Sequence, residues 1–279
     1  MRIDPVTPEI GADVLDLDLT KVTADELAEL KNALARYLVL FFRDQDITDG
    51  VQIGFARHFG QLVAGHSYAK THPDHDEMLI LDFNGKPAGR GVEEFHSDAM
   101  GQPEPENGAL LRCVETPAVG GDTCWANMYR AYETLPESIQ TTLDGLCAVN
   151  DFAKPLALKV AVGAFSPEVL AEVRAQHPAL EQPVVRVNPV TGRKALYVTE
   201  NYTAGIVGFE KRQSESLLGM LYYHIRDPQF QVRFRWKPQS MALWDNRFTQ
   251  HCALADYTGE SRIMHRVAFV GEPVLGCAS

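Results

Sequence analysis

Apolar residues recur at helical or strand spacing along most of the chain, and polar turn signals separate these segments. Thr23 and Glu26 match the two ends of a capping box, and leucines then recur at helical spacing from Leu27 to Leu38. This pattern predicts a helix that is followed directly by a buried strand over 38–42. Similar patterns predict further helices at about 48–59, 128–134, 136–146, 166–176 and 213–225.

Short strands dominate the rest of the pattern. Apolar, β-branched and aromatic runs predict strands at about 10–19, 77–83, 110–114, 182–187, 194–199, 232–236, 242–244 and 263–270. Many short strands interrupted by helices are typical of an α+β protein built on a β-sandwich or barrel. Neither GxGxxG nor GxxxxGK[ST] occurs, so no motif supports a dinucleotide or P-loop site. No repeat or linker divides the chain, and we expect one domain over 1–279.

Composition and charge narrow the choice of partners. The 279 residues are 45% hydrophobic, and 37 acidic against 26 basic side chains give a formal net charge of −11. Because a net negative chain repels phosphate backbones, we expect no nucleic-acid partner. No apolar run is long enough for a membrane span, and the start of the chain lacks an apolar leader segment. We therefore expect a cytoplasmic protein whose five scattered cysteines are reduced.

Two of the nine histidines stand in patterns that suit metal binding. His96 and Asp98 lie two positions apart, so in an extended chain both side chains face the same side. His251 follows a predicted strand and begins a loop, which can aim a third ligand. Two histidines and one carboxylate form the facial triad of non-haem Fe(II) enzymes. An isolated His-x-Asp also occurs by chance, with Asp98 as a turn cap, so this interpretation needs further support.

Two arginines on one predicted strand supply that support. Arg262 and Arg266 share a face of the strand, and four residues of strand span about 13 Å. An arginine that points into a barrel is costly unless an anion pairs with it. Two such guanidiniums can hold two different carboxylates, one on each side of a metal. Alternatively both arginines pair with internal acids such as Asp245, and we favour this interpretation more for Arg266 than for Arg262.

These motifs together resemble the taurine/2-oxoglutarate dioxygenase family, which also includes phenoxyacid and alkylsulfate dioxygenases. The matching residues are Phe95-His96-Ser97-Asp98, Gly120-Gly121-Asp122-Thr123, Trp244-Asp245-Asn246-Arg247 with His251, and Arg262 with Arg266. Each motif alone is weak, whereas their order and separations across essentially the whole chain are specific. The resemblance implies a double-stranded β-helix, or jelly roll, with flanking helices and a helical insert at about 128–181.

The resemblance also implies a cofactor set and a role for each matching residue. His96, Asp98 and His251 match the Fe(II) ligands of the family. Thr123 and Arg262 match the residues that bind the distal carboxylate of 2-oxoglutarate. With O2, such enzymes decarboxylate 2-oxoglutarate to succinate and CO2 and hydroxylate a substrate C–H. The substrate expected here is a small anion of the sulfonate, carboxylate or aryloxy acid class.

The residues for the prime substrate are implied less directly. Arg266 matches the position that holds an anionic group of the substrate in taurine- and phenoxyacid-type members. His66 and Tyr68 fall in the region of substrate contacts, although both also suit an ordinary loop. Phe95 stands where the family usually has Trp, and Val92 stands where taurine-cleaving members carry Asn, which argues against taurine itself. Family members are often dimers or tetramers, so we expect a homo-oligomer.

Three alternatives remain open from the sequence. The same cofactor chemistry can desaturate, cyclise or oxidatively decarboxylate an amino-acid-derived biosynthetic substrate, and the outcome depends on how the substrate is placed. A non-catalytic metal or anion binder can share the fold. A zinc hydrolase can use two histidines, one aspartate and a bound water. Such a hydrolase has no use for an interior Arg262, so turnover that depends on 2-oxoglutarate separates it from an oxygenase.

Overall fold

A computed structural model gives the fold of residues 1–64, 70–82, 94–163 and 165–274. The helices are α1 (Ala24–Tyr37), α2 (Asp49–Ala56), α3 (Met128–Glu133), α4 (Glu137–Leu143), α5 (Lys154–Ala161), α6 (Pro167–Gln176) and α7 (Lys211–Ile225). The strands are β1 (Arg2–Pro5), β2 (Ala12–Leu15), β3 (Val39–Phe42), β4 (Thr71–His72), β5 (His75–Asp82), β6 (Gly108–Glu115), β7 (Thr123–Asn127), β8 (Cys147–Asn150), β9 (Leu180–Pro183), β10 (Val185–Val187), β11 (Lys194–Leu196), β12 (Thr203–Ile206), β13 (Gln231–Phe234), β14 (Met241–Asp245), β15 (Thr249–Ala253) and β16 (Ile263–Phe269).

The first helix begins where the capping pattern predicts it. The Thr23 hydroxyl accepts the Glu26 backbone N–H at 3.3 Å, and the Glu26 carboxylate accepts the Thr23 backbone N–H at 2.9 Å. Leu38 has a left-handed φ of 65° and ends the helix, so β3 starts at the next residue. This local turn carries the chain directly from the helix into the main sheet.

Eight strands form the main sheet, in the order β1-β2-β3-β14-β6-β16-β5-β4. β14 pairs antiparallel with both β3 and β6, and β16 pairs antiparallel with both β6 and β5. Leu30 of α1 and Ile53 of α2 share one buried apolar cluster with Phe42, Leu110 and Val267 of this sheet. The helices therefore cover one face of the sheet, and the other face is left to line a cavity.

A second antiparallel sheet, in the order β13-β7-β15, packs against that other face. Trp125 of β7 and Trp244 of β14 are buried, with ring centroids 5.8 Å apart. Phe41 of β3 stacks on Phe234 of β13 at 4.2 Å. These aromatic contacts hold the two sheets face to face. The observed architecture is mixed α and β, in agreement with the α+β class expected from the pattern.

The segment expected to be a helical insert also contains a strand. It holds α3 to α6, but β8 lies between α4 and α5 and pairs with β9 and β12 in a third sheet. β8 has only four residues, which is too short to show a clear alternation. The pattern also missed α5, whose N-cap Ala153 offers no capping side chain.

Two further observations concern the helices and the cysteines. Among the described helices, none is long and apolar enough to cross a membrane. Cys113 and Cys124 carry free thiols, whereas Cys147 takes part in a disulfide. The expectation that all five cysteines are reduced is therefore wrong.

Candidate active site

The three predicted metal ligands lie together between the two large sheets. His96 and His251 form an antiparallel bridge, in which each backbone N–H donates to the other residue's carbonyl, at 3.0 and 2.8 Å. Nε2 of His96 is 3.7 Å from Oδ1 of Asp98, and Nε2 of His251 is 3.6 Å from Oδ2. One donor atom from each residue lies within 4.8 Å of the other two. The sequence suggested that His251 begins a loop, but it lies inside β15, and the strand holds it opposite His96.

Both imidazoles are prepared to act as ligands. Nδ1 of His96 is 2.8 Å from the Glu94 carbonyl, which can only accept, so Nδ1 donates this hydrogen bond and Nε2 is the nitrogen left to bind a metal. Burial lowers the pKa of His251 to about 3, so this ring is neutral at physiological pH. Nδ1 of His251 is buried without a hydrogen-bond partner among the described residues. Neutral imidazole is the form that binds metals.

Asn246 fixes the turn that carries the aspartate ligand. Its Oδ1 accepts the Asp98 backbone N–H at 2.8 Å, and its Nδ2 donates to the carbonyls of Asp98 at 2.9 Å and Glu106 at 2.8 Å. Burial alone would raise the pKa of Asp98, but the neighbouring Arg266 guanidinium and the two histidines lower it well below its usual range. Asp98 is therefore an ionised carboxylate in a fixed position.

A cavity of about 220 Å³ contains this cluster. Its apolar walls come from both large sheets and consist of Leu79, Leu81, Leu111, Trp125, Trp244 and Ala253. Thr123, Arg262 and Arg266 complete its polar lining. The metal donors and both predicted anion-binding arginines therefore open onto one enclosed space.

Arg262 is a buried cation that forms no ion pair among the described residues. It is 5% exposed, and its Nε donates to the Gly121 carbonyl at 3.0 Å. Burial lowers the pKa of its guanidinium below the usual value. Thr123 lines the same cavity, and its Oγ1 accepts the indole N–H of Trp236 at 2.9 Å. The Thr123 hydroxyl proton is thus left to donate into the cavity, so this end of the cavity suits a carboxylate.

Arg266 differs from Arg262 because two carboxylates already surround it. Its Nη2 donates to Oδ2 of Asp98 at 2.9 Å and also to Oε2 of Glu106. Asp245 pairs instead with Arg247, with Nη2 and Oδ2 2.8 Å apart. The alternative that the arginines pair with internal acids is therefore confirmed for Arg266, through Asp98 and Glu106 rather than Asp245, whereas Arg262 has no such partner among the described residues.

Two of the predicted site residues cannot be placed, and three residues of the observed site were missed by the sequence. His66 and Tyr68 are outside the described residues. Asn246 belongs to the motif that ends in Arg247, but nothing in the motif indicated its contact with the ligand turn. Trp236 and Glu106 carried no signal, because a buried indole or acid looks like any other in a sequence.

The fold and the site together define a class of protein. Two histidines and one carboxylate in a partly apolar cavity, with an unpaired arginine for a second anion, are the parts of a non-haem iron oxygenase. Residues 2–268 match the family described as taurine catabolism dioxygenase TauD, TfdA family. The chain belongs to this family.

Known relatives agree with this membership along the whole chain. An alpha-ketoglutarate-dependent sulfate ester dioxygenase of Pseudomonas putida is 32% identical over 287 residues, covering 99% of this chain and 91% of that protein. An alpha-ketoglutarate-dependent 2,4-dichlorophenoxyacetate dioxygenase of Cupriavidus pinatubonensis is 29% identical, covering 89% and 90%. The crystal structure of a taurine dioxygenase from Burkholderia xenovorans superposes with a TM-score of 0.84 at 34% identity, covering 99% and 91%.

The family uses Fe(II), 2-oxoglutarate and O2, and the residues of this chain fit that set. The donor atoms of His96, Asp98 and His251 lie close enough to share one ion, and the Nδ1 contact of His96 with the Glu94 carbonyl leaves Nε2 as its donor atom. The chain is therefore an alpha-ketoglutarate-dependent dioxygenase. This confirms the cofactor set that the motifs implied.

Proposed function

We propose that this enzyme hydroxylates a C–H bond of a small anionic organic substrate while 2-oxoglutarate is decarboxylated to succinate and CO2. The observation that carries the proposal is the cavity shared by the metal donors and Arg262, which forms no ion pair among the described residues. The relatives that act on a sulfate ester and on 2,4-dichlorophenoxyacetate support a substrate of the sulfonate, carboxylate or aryloxy acid class.

Each residue of the cavity has a defined task in this proposal. When bound, Fe(II) supplies the centre at which O2 is activated. His96, Asp98 and His251 hold that ion through two imidazole nitrogens and one carboxylate. Arg262 and Thr123 hold the distal carboxylate of 2-oxoglutarate, because a buried planar guanidinium gains most from a carboxylate partner. The 2-oxo acid end of the cosubstrate then faces the metal donors.

Arg266 is assigned to an anionic group of the prime substrate, and His66 and Tyr68 to further substrate contacts. The apolar walls around the donors keep water away from the reacting carbon, which favours reaction with substrate over side reactions. The carbon that reacts is the one that the anion contact at Arg266 holds next to the metal site.

The remaining assignments concern the whole chain. The main sheet and the β13-β7-β15 sheet correspond in this proposal to the two sheets of a double-stranded β-helix, with the insert at about 128–181 beside it. Residues 1–279 then form one dioxygenase domain. The protein works in the cytoplasm as a dimer or tetramer. Size-exclusion chromatography with light scattering measures the oligomeric state directly.

The test begins with anaerobic protein, Fe(II) and 2-oxoglutarate. We expect a weak charge-transfer band in the visible spectrum, since the 2-oxo acid chelates a two-histidine, one-carboxylate iron. We then add air and, one at a time, a panel of sulfonates, sulfate esters, aryloxy acids and amino acids. The readouts are the amount of succinate formed and the mass of the product. Arg262→Met should lose the band at moderate 2-oxoglutarate, whereas Arg212→Met, at an exposed position of α7, should keep it.

The outcomes separate the competing functions. Succinate formation with a product that gains one oxygen supports hydroxylation. A product that loses two hydrogens or CO2 indicates the desaturase, cyclase or decarboxylase alternative. Absence of both band and succinate contradicts the proposal, and ester hydrolysis with Zn(II) alone would then identify a zinc hydrolase.

A further inference from the structure

Glu106 is a buried acid that no step of the proposed reaction uses. It is 5% exposed and lies just before β6, between the ligand turn and the main sheet. Asn246 holds its backbone carbonyl with the same amide nitrogen that holds the Asp98 carbonyl. The Glu106 carboxylate is therefore fixed relative to the metal ligand rather than free to move with a surface loop.

One partner of this carboxylate is Arg266, which is itself 8% exposed. One guanidinium nitrogen, Nη2, donates to both Asp98 and Glu106. No described residue accepts from the Nε or Nη1 of Arg266, and the side chain lines the metal-site cavity. Glu106 thus holds one edge of the guanidinium, while the rest of it remains available to a ligand.

Charge gives this arrangement a consequence for binding. Among the described residues, the charged groups of the cavity and its paired acid are Asp98, Glu106, Arg262 and Arg266, whose formal charges sum to zero. The charges of a divalent metal ion and of dianionic 2-oxoglutarate also sum to zero. The described part of the loaded site is therefore neutral before the prime substrate binds, whereas without Glu106 it would carry one positive charge. An incoming anion competes with a carboxylate that Arg266 already binds.

We propose that Glu106 is a positioning residue that sets the charge preference of the prime-substrate site. It holds Arg266 beside Asp98 and offsets its charge, so the site binds a substrate anion less tightly than an unpaired arginine would. An uncharged polar group of similar shape then binds almost as well. This inference rests on the proposed function, because it takes Arg266 as the contact for the substrate.

The experiment compares two probes of similar shape, hexanesulfonate and its uncharged sulfonamide. Each is titrated by calorimetry into protein loaded with Mn(II) and 2-oxoglutarate, which does not turn over. Glu106→Gln keeps an oxygen acceptor for Arg266 but removes the charge. We expect it to tighten hexanesulfonate binding about tenfold, as expected for one nearby unit charge in a partly screened site. Binding of the sulfonamide should change less than about twofold, since that probe carries no charge.

Three further variants show whether the effect passes through Arg266. In an Arg266→Gln background, Glu106→Gln should change hexanesulfonate binding by less than about twofold, because the coupled partner is gone. Glu104→Gln, at the exposed acid two positions earlier, should match the wild type. Glu106→Asp moves the charge away from Arg266 and should tighten hexanesulfonate about threefold. This variant decides the question if Glu106→Gln does not fold.

Several results would overturn the inference. Equal changes for both probes would mean that Glu106 has only a structural role. Weaker or unchanged hexanesulfonate binding in Glu106→Gln would contradict the charge argument. Proteins that bind 2-oxoglutarate but no hexanesulfonate would show that Arg266 is not an anion contact. Failure of the wild type to bind 2-oxoglutarate with Mn(II) is a different result, since it refutes the proposed function itself.

Discussion

Replacing Arg262 with Met should have opposite effects on cosubstrate binding and on the stability of the empty protein. Arg262 is buried, its pKa is lowered by burial, and no described carboxylate pairs with it. The folded protein without 2-oxoglutarate therefore holds a charge that the unfolded chain would keep in water. Met has a similar length, fills the space of the aliphatic stem and carries no charge.

The two magnitudes follow from the contacts. Loss of one partner of a buried, hydrogen-bonded charge pair costs about 3 kcal/mol, so the Kd for 2-oxoglutarate should rise about 150-fold. In the empty protein, the relief of burial is partly offset by the lost hydrogen bond from Nε to the Gly121 carbonyl. We expect a net stabilisation of about 1–2 kcal/mol, or about 2–6 °C in Tm for a chain of this size.

Thermal unfolding of Mn(II)-loaded protein measures both effects. At 2-oxoglutarate equal to about 100 times the wild-type Kd, the wild type should gain about 2.7 kcal/mol, and Arg262→Met only about 0.3 kcal/mol. The matched control is Arg212→Met on the exposed side of α7, which should behave like the wild type in both conditions. Calorimetric titration gives the two dissociation constants independently.

One combination of results would refute this reasoning. If Arg262→Met is less stable than the wild type without 2-oxoglutarate and still gains the full stabilisation from it, Arg262 is a structural residue. The distal carboxylate of the cosubstrate would then bind elsewhere.

Three further substitutions test other parts of the site. Asp98→Ala removes one donor of three, and Mn(II) affinity measured by calorimetry should fall at least about 100-fold with an unchanged circular dichroism spectrum, since even outer partners are worth 10- to 100-fold. In the wild type, folding lowers the pKa of His251 to about 3, so the folded protein loses stability as the pH falls below the pKa of the unfolded chain. His251→Gln removes this titrating group and with it this source of pH dependence. Between pH 7 and pH 5 the metal-free wild type should lose about 2 kcal/mol more than this variant in denaturant unfolding, and equal losses would contradict the assignment. Trp236→Phe removes the donor to Thr123 and should raise the Kd for 2-oxoglutarate about fivefold, whereas a changed Mn(II) affinity would argue against so local a role.

Local signals predicted the elements that local interactions create. The capping box at Thr23 and Glu26 is complete in the structure, because its hydrogen bonds join residues three positions apart. β8 and α5 were not predicted, because no local signal in the sequence marks them. β8 is held by its pairing with β9 and β12, and α5 begins without a capping side chain.

The site likewise has features that the sequence pattern predicted and features that depend on long-range pairing. The spacing of His96 and Asp98 and the order of motifs up to His251 indicated which side chains meet, and the structure brings all three together. The sequence misplaced His251 at the start of a loop, because β15 is formed by long-range pairing with β7 and His251 meets His96 through an isolated bridge.

The order of its motifs was enough to determine the family of this protein and to predict its metal ligands and its cosubstrate arginine. Only the tertiary structure decided which acid pairs with Arg266 and which indole orients Thr123, since those partners lie 160 and 113 positions away along the chain. The physical reason is that charge compensation in a buried cavity depends on which side chains two packed sheets enclose. A buried acid such as Glu106 acquires its role only when packing removes water and leaves a guanidinium as its partner.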